Sequence, residues 1–460
     1  MPVSRRKFLN LSAGSIAGAS LGGISTALSG IQAQAGNTSG YKAMVCVFLF
    51  GGMDNHDTII PYDQGSYQRW ANIRSSLIRA QGASRARDNL LQLSNEKKLG
   101  FGSRKFALPP ELAGLHRLYE TGNAAVIGNV GPLLTRTDRS SFTNELVPLP
   151  SRLFSHNDQQ ATWMAGAPEG AQFGWGGLFA DAMQQSGANL GAAFSTVTTG
   201  GSALFITGRE TAPYQVGEEG ASQPWVLEYT EEKLRDELRR HFRAERYNRG
   251  NFLRRDMASK VHASFDANEL YNIATQKIDA SNETPFPSTP LGQQLRSVAR
   301  TIAARAHLGV HRQIFTVAMG GFDTHSGQAQ DLPALQTALG DAIEAFYGAI
   351  DGMGLANDVT LFTASDFGRT LAINGDGTDH GWGAHHFVVG GAVKGKQIFG
   401  DIPEAEFDHD QDAGGGRLIP TQSVEQFAAP LGRWFGLGEN DLANALPRLS
   451  NFGEGVQFLS

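Results

Sequence analysis

Seven side chains of this sequence have the types and positions to hold a metal ion. Asp54, Asp323 and Asp366 each stand within four residues of the end of an apolar run, and the first two follow a Gly-Gly pair. His325, His380, His385 and His386 lie in the adjoining segments. Three carboxylates brought to one place repel one another unless a cation neutralises them. Histidine completes such a donor set, and aspartate with histidine and no cysteine suits zinc, manganese or iron better than copper(I).

Each residue also has a plainer reading. An aspartate after a strand commonly caps a helix or forms a turn, and a lone loop histidine is more often structural than a ligand. His385 and His386 are adjacent, so in an extended segment at most one of them faces a metal. The acidic stretch EFDHDQD, 406–412, lacks the glycine and terminal glutamate of an EF-hand loop and reads as a solvated loop.

The elements that must deliver these residues alternate in type. KAMVCVFLF opens with a continuous apolar run, the pattern of a strand buried on both faces. LPPELAGLHRLYETGNAAVIGNVG reads as a proline-started helix followed by a second buried strand. HRQIFTVAMGGFDTH and DVTLFTASDFGRT are two further strands, breaking just before Asp323 and at Asp366. Between them Leu332, Leu335, Leu339, Ile343, Phe346 and Ile350 fall at helical spacing, the pattern of core packing. The expected fold is α/β, a largely parallel central sheet with helices on both faces. Sites in such sheets form in the crevice beyond the carboxyl ends of the strands.

Residues at about 190–310 are less regular and read as an insert within a domain spanning 36–460. There GAAFSTVTTGGSALFITG suggests two short strands, and TEEKLRDELRRHFRAERY a charged helix with a solvated face.

Composition narrows the function. With net charge -6 and no basic stripe interleaved with aromatics, nucleic acid is excluded as an expected partner. The single cysteine, Cys46, excludes an internal disulfide and an iron–sulfur cluster bound by four cysteines of this chain. The 56 glycines show no G-X-Y period and point to tight turns. Residues 1–35 carry Arg5-Arg6, then Phe8-Leu9, a weakly apolar Ala/Gly/Ser run and Ala33-Gln34-Ala35. That is the pattern of a cleavable twin-arginine signal, too rich in Gly and Ser for a stable membrane span. Its removal takes away three positive charges and leaves -9.

The segments GGFDTH, SDFGRT, GTDHGWGAHHFVVGGAVKG and GRLIPTQSVEQFAAPLGRWFGL resemble the bacterial family called domain of unknown function 1501. FLFGGMDNHDTIIPY and the leader fit it too. The family is similar to the alkaline phosphatase and sulfatase superfamily. That resemblance implies two divalent ions at the carboxyl edge of the sheet. Asp54, Asp323, His325, Asp366 and one of His385 or His386 would be the ligands. Phe367 stands where relatives carry His or Asn, so His380 would substitute. The resemblance also implies a nucleophile, best matched by Ser155 with His156 beside it. Arg369 would either clamp an oxyanion or tie down its own loop through a carboxylate.

The expected protein is thus an exported, periplasmic or extracellular hydrolase of a phosphate or sulfate ester. Its partners would be a small-molecule or glycan ester and, during export, the twin-arginine translocase. The alternative is a non-catalytic metal-binding envelope or glycan-binding protein on the same fold. A twin-arginine redox protein is disfavoured by the single cysteine and by the lack of a strand–GxGxxG–helix unit.

Overall fold

Lys42–Leu49 forms strand β1, and its side chains alternate between two cores. Ala43, Val45, Val47 and Leu49 enter one; Met44, Cys46 and Phe48 enter the other. This two-faced burial is what the unbroken apolar run requires. The computed structural model describes residues 39–94, 101–189, 191–200, 203–218, 220–221, 231–248, 250–278 and 284–460. The leader read in residues 1–35 lies outside the described residues. Residues from Gly36 onward form one unit.

The other strands of the central sheet are β2 (Ala124–Gly131), β3 (Thr196–Thr198), β4 (Tyr214–Gln215), β5 (Arg312–Met319) and β6 (Val359–Ser365). A hairpin of β7 (Arg369–Asn374) and β8 (Gly377–His380) leaves the sheet after β6. The chain re-enters as β9 (Ala384–Val389), β10 (Ile398–Gly400) and β11 (Gln422–Ser423). The order is β10-β2-β9-β6-β1-β5-β3-β4, with β11 also on β2. Every pairing is parallel except those of β9, which runs antiparallel to both β2 and β6. The fold is the α/β class read from the sequence.

Helices α1 (Ala113–Glu120), α2 (His156–Ala165), α3 (Trp175–Gln185), α4 (Glu232–Glu245) and α5 (Phe252–Gln276) precede β5. They are followed by α6 (Pro290–Ala303), α7 (Gln328–Gly352) and α8 (Val424–Phe435). One core takes Leu115 of α1, Leu295 and Val298 of α6, and Leu332, Leu339, Ile343, Phe346 and Ile350 of α7. The opposite core takes Trp163 of α2, Trp175 and Phe179 of α3, and Phe427 and Leu431 of α8. Truncating a fully buried Leu339 to Ala would cost about 2–5 kcal/mol at such density.

The second strand expected between 191 and 208 is instead a 3-10 turn, Leu204–Ile206. Phe205 is drawn into the core against Trp175, with ring centroids 4.5 Å apart, rather than into a ladder. The second short strand of that region is β4.

Three strand exits are aligned by register. Leu49 of β1 pairs with Met319 of β5 and with Ser365 of β6. The glycines make the exits fit. A Cβ on Gly51, at φ 113°, would sit 2.3 Å from the backbone nitrogen of Asp323. On Gly52, at φ 91°, it would sit 2.4 Å from the Phe367 ring.

Candidate metal centre

Asp323, just beyond β5, is the hub of the crevice. Its Oδ1 lies 3.1 Å from His325 Nε2 and 3.3 Å from His380 Nε2, and its Oδ2 lies 3.5 Å from His156 Nε2. Each histidine comes from a different element: the first residue of α2, the loop after β5, and the end of β8. Arg369, buried at the start of β7, donates from Nη1 to Asp323 Oδ1 at 2.8 Å.

The far nitrogen of each ring is engaged. His156 Nδ1 is 2.6 Å from Asp366 Oδ2, His325 Nδ1 is 3.2 Å from Asp379 Oδ1, and His380 Nδ1 is 2.7 Å from the Phe154 carbonyl. These oxygens are acceptors, so the network assigns the protons to Nδ1 and leaves lone pairs on Nε2. His325 Nε2 and His380 Nε2 then face each other at 2.8 Å. Two lone pairs at that distance are relieved either by a proton shared between the rings or by a cation that takes both.

The charges agree. Burial pushes Asp323 upward, but the Arg369 guanidinium, with His156 and His325, holds it below the usual carboxylate range, so it is ionised. Burial holds His380 below its ordinary value, which keeps the ring neutral and able to ligate. The hydrogen bond to Asp366 raises His156 against the opposing effect of burial. A more basic imidazole is a stronger ligand, and a carboxylate behind it fixes the tautomer.

The donor set fits a divalent ion. Ligands at about 2.1 Å in tetrahedral array stand roughly 3.4 Å from one another, close to the spacings around Asp323. The donor atoms of His156, Asp323 and His380 all lie within 4.8 Å of one another, the one such grouping among the described residues. His325 adjoins it as a fourth donor. Asp323 and His325 side chains are 46% and 44% exposed, so the centre opens to solvent on one side.

The family model of DUF1501, a protein family of unknown function, matches residues 41–445. The chain belongs to the DUF1501 family. No curated protein matches it. Among solved structures, the chain is similar to the C-terminal periplasmic domain of EcEptC from Escherichia coli, in complex with zinc. That likeness has 9% identity and a TM-score of 0.37, covering 92% of this chain and 91% of the other. It is similar to a Bacteroides thetaiotaomicron sulfatase at 9% identity and TM-score 0.33, covering 86% and 73%. It is similar to the alkaline phosphatase PafA at 11% identity and TM-score 0.28, covering 71% and 63%. Scores this low leave the functional reading to the site itself.

Of the residues picked from sequence in this DUF1501 protein, the structure brings Asp323, His325 and His380 together and places the others elsewhere. Asp366 stands behind the centre: its Oδ2 accepts from His156, from Gln160 Nε2 at 2.8 Å and from the Gly51 amide at 3.3 Å. Asp54 is a buried helix cap. It accepts from the His56 and Asp57 amides, from Gln328 Nε2 at 2.5 Å and from Arg74 Nη1 at 2.5 Å, so its oxygens are already engaged.

His385 and His386 lie within β9 rather than at the crevice. His385 Nδ1 accepts from the Asn129 amide at 2.9 Å. His386 lies between Trp163 and Phe427, with ring centroids at 5.8 and 5.9 Å.

Ser155 Oγ donates to Asp158 Oδ2 at 3.0 Å, turned into its own helix, while the neighbouring His156 takes the place in the cluster. Arg369 is not an oxyanion clamp. It donates to Asp323, to the Gly51 carbonyl at 3.1 Å, and to both the hydroxyl and carbonyl of Thr378. Phe367 forms the floor, its ring 4.9 Å from His156 and 4.7 Å from His380.

Two contributors were missed in the sequence. His156 enters the sequence reading only as the neighbour of Ser155, and Asp379, beside His380, is not among its candidates. The local signal was a histidine opening a helix after a polar loop, which many caps share.

Proposed function

We propose that this DUF1501 protein is an exported hydrolase that holds one divalent metal ion and acts on a phosphate or sulfate ester. One observation carries this reading: donor atoms of His156, His380 and the ionised Asp323 lie within 4.8 Å of one another, with His325 Nε2 3.1 Å from the same carboxylate, in a crevice open to solvent on one side. His156, Asp323 and His380, with His325 beside them, would hold a divalent ion there, and that ion would supply Lewis-acid chemistry. The chain's own residues prepare the place. Asp366, Asp379 and the Phe154 carbonyl hold the Nδ1 protons outward, and Arg369 keeps Asp323 charged and aimed. With Ser155 on Asp158, water is the nucleophile in this reading. The ester class rests on the motif resemblance, and export on Arg5-Arg6 and the segment that follows.

Elemental analysis of the chain from Gly36 on, purified without chelator, should find about one zinc, manganese or iron per molecule. The same protein should hydrolyse an activated aryl phosphate or sulfate. Absence of metal would overturn the reading. A fully loaded protein inert to both esters would favour the second reading, a metal-binding envelope or glycan-binding protein. That alternative has a specific observation behind it: Arg369 and Ser155 are both engaged within the protein, so neither stands free as a clamp or a nucleophile.

A further inference from the structure

The hairpin of α4 and α5 ends in an apex that the other described residues leave exposed. The helices pack along an inner seam, where Phe242 meets Phe265 with ring centroids 6.1 Å apart. Tyr247, Phe252, Leu253 and Met257 lie outside that seam, 69%, 67%, 65% and 65% exposed. The described residues of the turn bond to one another. Asn248 Nδ2 donates to Glu245, the Gly250 amide donates to Asn248 Oδ1, and Asn251 caps α5. Four large apolar side chains presented to water at one apex call for a partner.

The charge around this apex opposes that of the rest of the protein and corrects the expectation that the chain has no basic stripe interleaved with aromatics. From Leu238 to Lys260 there are eight Lys/Arg against two Asp/Glu, a local +6 in a chain of -6. Arg243 and Arg255 form no side-chain ion pair among the described residues. Arg246 lies over the Tyr247 ring at 4.8 Å and donates to its hydroxyl at 2.8 Å, so one arginine rides on the apolar cluster itself.

We propose that this apex docks on the surface of an anionic phospholipid bilayer. Phe, Leu and Met side chains gain by leaving water for the acyl boundary, while the surrounding arginines reach headgroup phosphates. A nucleic acid or other hydrated polyanion would satisfy the arginines and leave the apolar side chains in water. Tip-to-tip pairing with a second copy would bring +6 against +6. No helix among the described residues is long and apolar enough to cross a membrane, so the contact is peripheral and reversible. This inference is independent of the metal centre.

The test is co-sedimentation of the chain from Gly36 on, which forms its own unit. The vesicles are phosphatidylcholine alone, or phosphatidylcholine with about one third phosphatidylglycerol. Binding should be at least about ten-fold tighter to the anionic vesicles and should weaken as salt is raised. Phe252→Ser/Leu253→Ser should lower it about ten-fold at every salt concentration. Arg243→Gln/Arg255→Gln should lower it about ten-fold at low salt and flatten the salt dependence. Equal binding to both vesicles, or none, overturns the proposal whatever the variants do. So does an apolar variant that still binds normally. A dimer in solution that either variant dissolves would assign the apex to a second copy and overturn it as well.

Discussion

His156 and Asp366 are joined across the crevice by a 2.6 Å bond from ring Nδ1 to carboxylate Oδ2, which turns His156 Nε2 toward Asp323. In the proposed centre, Asp366 would act on a bound metal through this histidine. Asp366→Asn should fold and should weaken metal affinity by about 10–100-fold, measured by chelator competition. Gln160→Ala removes another donor to the same oxygen without touching the ring, and should change affinity only a few-fold. Equal effects from the two variants would count against the positioning role.

Asp54 lies on the protein side of the crevice, paired with Arg74, and both side chains are at most 1% exposed. Asp54→Ala leaves a buried guanidinium without its counter-charge, so denaturant unfolding should show a loss of about 3–5 kcal/mol. Metal bound per folded molecule should stay at the wild-type level. His380→Ala should do the reverse, losing metal with a smaller change in stability. If Asp54→Ala empties the centre while the fold survives, Asp54 is a ligand after all.

The strands were legible because they are buried on both faces, and residues such as Val45, Val47 and Val317 leave an unbroken apolar trace. The ends of those strands were legible for the same reason, and with them Asp323 and the crevice. What an aspartate does after the strand was not. Asp54, Asp323 and Asp366 share one local pattern, yet one caps a helix, one faces the centre and one stands behind it. The difference lies in partners that arrive from far along the chain: Arg74 for the first, Arg369 for the second, His156 for the third. His385 and His386 misled because a histidine pair before an apolar run looks the same whether it borders a site or lies inside a sheet.

Ser155 gives a direct test of whether the nucleophile is a side chain. Its bond to Asp158 is partly exposed, so Ser155→Ala should cost about 1 kcal/mol of stability. Metal content and ester hydrolysis should change by no more than a few-fold. A loss on the order of 10³-fold with metal retained would place serine, not water, at the reacting centre.

Export is checked in the leader. Replacing Arg5-Arg6 by Lys-Lys should hold the precursor in the cytoplasm, because the Ala/Gly/Ser run is too polar for efficient use of the general secretory route. Fractionation followed by immunoblotting reads the outcome. Normal export of that variant would remove the twin-arginine assignment.

Neither ring nitrogen of His386 finds a partner, and burial pushes its pKa down to about 3 from 6.5. His56 is likewise pushed to about 3, by burial first and then by Arg74, and burial holds His385 well below its usual value. In the window from 6.5 down toward 3 the unfolded chain binds protons on these rings that the folded chain does not. Their stability contribution is therefore full above the unfolded value and falls with falling pH, by about 1.4 kcal/mol per pH unit for each ring. His156 has the opposite sign, since Asp366 raises it, and its effect falls above this window. His386→Leu removes one of the three rings and puts an apolar side chain of similar volume between Trp163 and Phe427. The variant should equal or exceed wild-type stability at neutral pH, and its advantage should grow by about 1.4 kcal/mol for each unit of acidification. Denaturant unfolding across that window measures the slope, and parallel curves for variant and wild type would show that His386 is protonated or partnered in the folded protein.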